Sequence, residues 1–119
     1  MEHISAEEYR KMISSSSIKS KYHNQRTVID DITFDSLAEA NRYCELKALK
    51  AAGEIDGFGI QPSFVIDLCG TRYRPDFIVC DKDHRVWVED VKGVETSTFR
   101  LKKRKWEQQY PWLPLVLIR

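Results

Sequence analysis

The chain lacks most of the features that announce a chemistry at first sight. Its three cysteines, Cys44, Cys69 and Cys80, are odd in number, widely spaced and include no Cys-x-x-Cys pair. That argues against a disulfide framework or a thiolate zinc site and fits a reducing cytosol. The three histidines, His3, His23 and His84, are scattered. There is no His-Glu-x-x-His, no Gly-x-Ser-x-Gly elbow and no glycine-rich phosphate loop. No apolar run approaches the roughly 18 residues of a membrane span. The opening Met1-Glu2-His3-Ile4 carries an early acid and no apolar core, which speaks against a signal peptide. Nor is there an excess of one charge: 19 Lys and Arg face 18 Asp and Glu, a net charge of +1. Whole-chain charge therefore names no polyanionic partner, although a local basic patch remains open.

What is present fits one small domain. With 119 residues and 42% apolar content, a modest core is within reach. Residues 1–26 look peripheral. Ser5 with Glu8 forms a capping-box pattern for a short helix through Ile13. Ser14-Ser15-Ser16-Ser17 follows as a linker, and then a basic arm with Lys19, Lys21, Tyr22, His23 and Arg26. Residues 27–119 hold the domain proper. Thr27-Val28-Ile29 and Ile32-Thr33-Phe34 flank Asp30-Asp31 as a hairpin. Ser36, with Glu39 three residues on, caps a helix that runs to Ala52 and stops at Gly53. Leu37, Ala40, Cys44 and Ala48 form its apolar stripe. Strands are expected over Ser63 to Leu68, Thr71 to Cys80 and Arg85 to Lys92, with connections short enough to impose antiparallel pairing. A second helix is capped by Thr96, Ser97 or Thr98 and spans roughly Phe99 to Tyr110. Leu115-Val116-Leu117-Ile118 reads as a buried strand. The expected class is α/β (α+β), a mixed sheet with helices against it.

The chemistry concentrates in Arg74-Pro75-Asp76-Phe77 and Val86-Trp87-Val88-Glu89-Asp90-Val91-Lys92-Gly93. Side chains alternate along a strand, so Asp90 and Lys92 share a face with Val86 and Val88. Glu89 and Val91 take the other face, where Glu89 is expected as a surface charge. Asp76, on the partner strand, can sit beside Asp90. Two carboxylates and an ammonium near a core are costly unless paired or metal-bound. Mg²⁺ takes one or two carboxylates plus water and substrate phosphate, so Asp76 and Asp90 are candidate ligands. The backbone carbonyl of Val91 is an additional one. Lys92 is placed to stabilise charge on a phosphate under attack.

This order of residues, Pro75-Asp76 and then Asp90-Val91-Lys92 between two helices, resembles the PD-(D/E)xK nuclease superfamily, which includes restriction enzymes, Holliday junction resolvases and repair nucleases. The likeness runs from about Phe34 to the C-terminus. More narrowly, Phe34-Asp35-Ser36, Glu39-Ala40, Gln61-Pro62, Pro75-Asp76-Phe77, Glu89 to Gly93 and Phe99 to Lys102 are similar to short phage- and prophage-borne nuclease-like proteins. The resemblance implies a restriction-endonuclease-like αβββαβ core and a Mg²⁺-dependent endonuclease, with Mn²⁺ able to substitute. It implies metal ligands at Asp76 and Asp90, a catalytic Lys92, and a glutamate from the first helix. Glu39 is the best match for that glutamate, although it is equally the capping partner of Ser36, and Glu45 is the fallback. DNA is the implied substrate, read by structure (junction, flap or nick). A homodimer and a cytoplasmic site of action, that of the bacterial host if phage-encoded, are expected with it. A non-catalytic binding module on the same fold, or an RNA nuclease, are the rivals.

The second helix supplies the missing basic patch. Phe99, Trp106 and Tyr110 share one face. Arg100, Lys102, Lys103, Arg104 and Lys105 cover the rest, and Lys103 is the one expected to reach inward. With Lys21 and Arg26 of the arm, these are the candidate phosphate contacts. Gln61 reads equally well as a turn residue or a neighbour of the metal. Trp87 and Trp112 read as core or interface.

Overall fold

A computed structural model describes residues 3–8 and 26–119 of the chain. The expected helix beyond Glu8, the serine linker and the arm with Lys21 lie outside the described residues. The chain divides into two compact units, Met1–Ala52 and Gly53–Arg119.

In the first unit, strands β1 (His3–Ile4), β2 (Thr27–Ile29) and β3 (Ile32–Phe34) form a sheet in that order. β1 runs parallel to β2, and β2 runs antiparallel to β3. The hairpin turn places Asp30 and Asp31 at φ 52° and 65°, the left-handed pair that matches the twist of the flanking strands. Aspartate tolerates that region better than most side chains because it bonds locally. Asp30 does more than turn the chain. Its carboxylate accepts the Ala6 N–H at 3.2 Å, the Tyr43 hydroxyl at 2.7 Å and Lys47 Nζ at 2.8 Å. Helix α1 (Leu37–Ala51) starts where Ser36 accepts the Glu39 N–H at 3.2 Å, and Gly53 beyond its end has φ 75°. Leu37, Ala40 and Cys44 are buried as the stripe requires, with Tyr43 and Leu46 widening it. The Ser5 cap is also present, with its hydroxyl oxygen accepting the Glu8 N–H at 3.2 Å.

The second unit contains β4 (Ile55–Ile60), β5 (Phe64–Val65), β6 (Arg72–Tyr73), β7 (Phe77–Asp81), β8 (Val86–Val91), helix α2 (Ser97–Gln109) and β9 (Leu115–Ile118). A four-stranded sheet has the order β4-β7-β8-β9, and β5 pairs with β6 apart from it. β4–β7 and β7–β8 are antiparallel, whereas β8–β9 is parallel, so the sheet is mixed. Thr96 caps α2 by accepting the Phe99 N–H at 3.1 Å.

Three strand expectations need correction. β4 lies in a stretch where no strand was expected. At Gly59 the reason for glycine is close approach: a Cβ there would meet Ile78 Cγ2 at 3.0 Å. The run Thr71 to Cys80 is not one strand but two, β6 and β7, in different sheets. Pro75 has no N–H for a ladder and falls at the break. The segment Ser63 to Leu68 shrinks to β5, because the Asp67 carboxylate accepts the Cys69 and Thr71 N–H groups, both at 3.0 Å, and closes a turn there. β9 also differs in degree: Leu115 is buried but Val116 is exposed, as suits a strand at the sheet edge.

The core of this unit joins Ile66, Tyr73, Val88, Phe99, Trp106, Leu113 and Leu115, with Phe64, Ile78, Tyr110 and Leu117 packed against it. Trp106 is its centre. Its indole N–H donates to the Leu113 carbonyl at 2.7 Å, and Phe64 meets its ring edge-on at 4.6 Å. Val88 and Ile78 therefore face α2. By alternation, so does Asp90, whose carboxylate accepts the hydroxyl of Tyr73 from that core.

Candidate functional site

β7 and β8 pair with Phe77 opposite Glu89 and Ile78 opposite Val88. That paired register ends at Phe77–Glu89; Asp76 comes just before Phe77 and Asp90 just after Glu89. The backbone at Asp76 is held on both sides: its N–H donates to the Glu89 carbonyl at 2.9 Å, and its carbonyl accepts the Gln61 N–H at 2.8 Å. Its carboxylate Oδ2 accepts the Val91 N–H at 2.7 Å. Val91, expected to offer its carbonyl to a metal, thus gives its N–H to the first candidate ligand.

Asp90 is 5% exposed, and a carboxylate so buried must be compensated. Two groups do this. The Tyr73 hydroxyl donates to Oδ2, and Lys92 Nζ lies 3.4 Å from Oδ1. The Lys92 side chain is 34% exposed, and its ammonium sits 5.7 Å from the centre of the Phe99 ring. Burial pushes the Tyr73 hydroxyl well above its ordinary range, and its bond to Asp90 and the charges of Asp90 and Asp76 push it further. Two carboxylates against one ammonium leave a net negative charge at the end of the β7–β8 pair, a setting that favours a cation.

Among the described residues, no group of three or more His, Cys, Asp and Glu side chains is arranged to hold a metal ion. The donor set on the page is two carboxylates. That suits Mg²⁺, which keeps most of its water and needs no all-protein cage, and it is unsuited to a structural zinc site, which takes four protein ligands.

The other sequence-derived candidates fall as follows. Glu39 lies on α1 in the Met1–Ala52 unit, where its N–H donates to Ser36 and its carboxylate accepts the Ser36 hydroxyl at 3.4 Å. Glu45 is exposed and pairs with Arg42 at 2.9 Å. Gln61 is a turn residue at φ 50°, and its side-chain carbonyl accepts Arg74 Nη2 at 3.0 Å. Glu89 is not a surface charge but 1% exposed, and it accepts the Trp87 indole N–H at 2.9 Å. Both faces of β8 are covered at this point, which a simple inside–outside alternation does not foresee. Trp112 is 74% exposed and so is no core residue.

On α2, Phe99 and Trp106 are buried as expected. Lys102 Nζ lies 5.4 Å from the centre of the Tyr73 ring. Lys105 pairs with Asp67 at 3.1 Å, and Arg100 Nη1 donates to the Glu95 carbonyl at 3.3 Å. Arg104 is exposed and Lys103 half-buried. Arg26 lies 3.9 Å from Asp35 with both side chains largely exposed. Sequence reasoning missed Tyr73. Its signal was a tyrosine on a core-directed position two residues before Pro75-Asp76, where the buried hydroxyl must find a partner.

No helix among the described residues is long and apolar enough to cross a membrane. No curated protein and no solved structure matches the chain. A family model described as "Protein of unknown function (DUF1064)" matches residues 19–119. That span is most of the chain, and the protein belongs to the DUF1064 family.

Proposed function

We propose that the protein is a Mg²⁺-dependent endonuclease that hydrolyses phosphodiester bonds in DNA. The observation that carries the proposal is the Asp90–Lys92 contact at the end of β8, with the Asp76 carboxylate bonded to the N–H of Val91 between them. The order of elements supports it: α1, then the antiparallel β4, β7 and β8, then α2, then β9 parallel to β8. With the separate β5–β6 pair set aside, that order is compatible with the αβββαβ core that the resemblance implies.

In this proposal Asp76 and Asp90 hold the cation, which Mn²⁺ can replace. When bound, the metal supplies Lewis-acid polarisation and a lower pKa for water. Lys92 contributes a mobile ammonium beside Asp90, able to move from the carboxylate to an anionic phosphate oxygen as charge develops there. The basic surface of α2, with Arg100, Lys102, Lys103, Arg104 and Lys105, holds the phosphate backbone, which fixes position without reading sequence. A domain this small, with its contacts on one helix, suits recognition of DNA shape such as a junction, flap or nick. A homodimer that sets two such sites on two strands belongs to the same proposal.

The test is a cleavage panel of duplex, four-way junction, flap, single-stranded DNA and RNA, with Mg²⁺ or with EDTA. Cleavage of a DNA substrate is expected with Mg²⁺ and not with EDTA. Asp90→Ala should cut at least about a hundredfold more slowly, since removal of even an outer-shell group costs 10–100-fold. Wild-type rates from Asp90→Ala, or undiminished cutting in EDTA, would refute the assignment.

A further inference from the structure

We infer that Tyr73 is a positioning residue for Asp90: its hydroxyl holds Oδ2 and so fixes Oδ1, the oxygen beside Lys92, as the one that meets the cation. This rests on the metal site proposed above and adds a residue to it. A carboxylate turns readily about its last torsion, which is broad and two-fold. Without a fixed donor, the two oxygens of Asp90 would exchange places and the ligand would be ordered only at the moment of binding. A donor on one oxygen removes that freedom in advance, which is how outer groups tune metal sites.

Tyr73 is itself held well enough to do this. It lies on β6, outside the four-stranded sheet, and reaches the β8 carboxylate from the side. Its ring is buried, edge-on to Trp106 at 6.1 Å, and Trp106 is locked by its own bond to Leu113. Lys102 Nζ sits over the ring, so a cation of the basic helix touches the residue that orients the ligand. The bland alternative is a core tyrosine that merely satisfies its own hydroxyl on the nearest acid. The two differ in what loss of the hydroxyl does to metal binding.

Calorimetry with Mn²⁺ alone on the metal-free protein separates them. Tyr73→Phe keeps the ring and its packing. It should bind Mn²⁺ about 10–100-fold more weakly than wild type. In cleavage, the Mn²⁺ concentration at half-maximal rate should rise by the same factor, while the rate at saturating Mn²⁺ returns to within a few-fold of wild type. The double variant Tyr73→Phe/Asp90→Ala should bind no more weakly than Asp90→Ala, because Tyr73 acts through Asp90. A second measurement needs no Tyr73 variant: Mn²⁺ should produce a tyrosine ultraviolet difference spectrum in wild type and none in Asp90→Ala. The inference is overturned if wild type binds Mn²⁺ and Asp90→Ala does not, yet Tyr73→Phe binds as tightly as wild type. It is overturned equally if wild type binds Mn²⁺ with no tyrosine difference spectrum. If wild type binds no Mn²⁺ that Asp90→Ala abolishes, the metal site itself falls, and Tyr73's role with it.

Discussion

Replacing Lys92 by methionine isolates the electrostatics of the site without touching its carboxylates. Methionine keeps the unbranched stem that packs toward Phe99 and removes only the ammonium. At 3.4 Å from Asp90 Oδ1, that ammonium gains a Coulomb energy of about 5 kcal/mol at an effective dielectric of about 20. Desolvation of the buried carboxylate and water around the partly exposed lysine cancel most of it. About 1–2 kcal/mol of net stabilisation remains. For a unit the size of Gly53–Arg119 that is a fall in Tm of about 5 to 15 °C.

The assay is intrinsic fluorescence, because Trp87, Trp106 and Trp112 all lie in Gly53–Arg119 and are all the tryptophans of the chain. In EDTA, Lys92→Met should melt below wild type by that margin. Mg²⁺ should then raise the Tm of Lys92→Met more than that of wild type, because the cation replaces the missing positive charge. Ligand at a hundred times its Kd contributes about 2.7 kcal/mol, enough to close the gap. Asp90→Ala should show no Mg²⁺ shift. The reasoning is refuted if Lys92→Met melts within about 1 °C of wild type in EDTA, or if Mg²⁺ stabilises Asp90→Ala as much as it stabilises wild type.

Two further outcomes follow from other parts of the chain. Burial pushes the Asp30 carboxyl up, but Lys47, Tyr43 and the Ala6 N–H outweigh it and hold it below its ordinary value. Its contribution is therefore present above the unfolded pKa of about 4 and lost as pH falls through the folded value. Asp30→Asn should lower stability by about 1–2 kcal/mol at pH 7, and thermal melts by circular dichroism should show the gap to wild type closing as pH falls below about 4; a gap unchanged by acid would count against it. On α2, Lys102→Ala in an Asp90→Ala background should reduce the salt slope of DNA binding by about 0.9. Lys105→Ala should change it less, because Lys105 already pairs with Asp67; equal slopes for wild type and both variants in an anisotropy titration would remove α2 from the interface.

The parts of the fold that were legible are those with a local cause. Ser36 and Thr96 announce their helices because a short hydroxyl before an apolar run can satisfy an orphan N–H, and each does so. The Asp30-Asp31 hairpin is legible because aspartate tolerates the left-handed turn between two β-branched runs. What escaped depends on a neighbour distant in sequence. β4 carries two glycines, and only the approach of Ile78 makes sense of one of them. The run from Thr71 to Cys80 alternates like one strand, and only the closing of the separate β5–β6 pair divides it at Pro75.

The site divides along the same line. The contact of Asp90 with Lys92 could be read because period two is a property of the strand itself. Tyr73 could not, because its hydroxyl reaches Asp90 from another sheet, and Glu89 could not, because its burial depends on cover over the second face of β8. Energetics then bear on why the trio is there at all. Asp90 and Lys92 continue the face of Val88, beside Leu115 and Phe99, where an apolar pair would pack without any ion to desolvate. Replacing a buried ion pair by packed hydrophobic groups is often neutral or stabilising by 1–4 kcal/mol. Packing alone therefore gives little reason for these charges at this place. Groups that cost stability where local packing would favour something else are expected where a site must act. Here they converge with a second carboxylate and a fixed hydroxyl at the end of two strands, next to the helix that carries five of the basic residues.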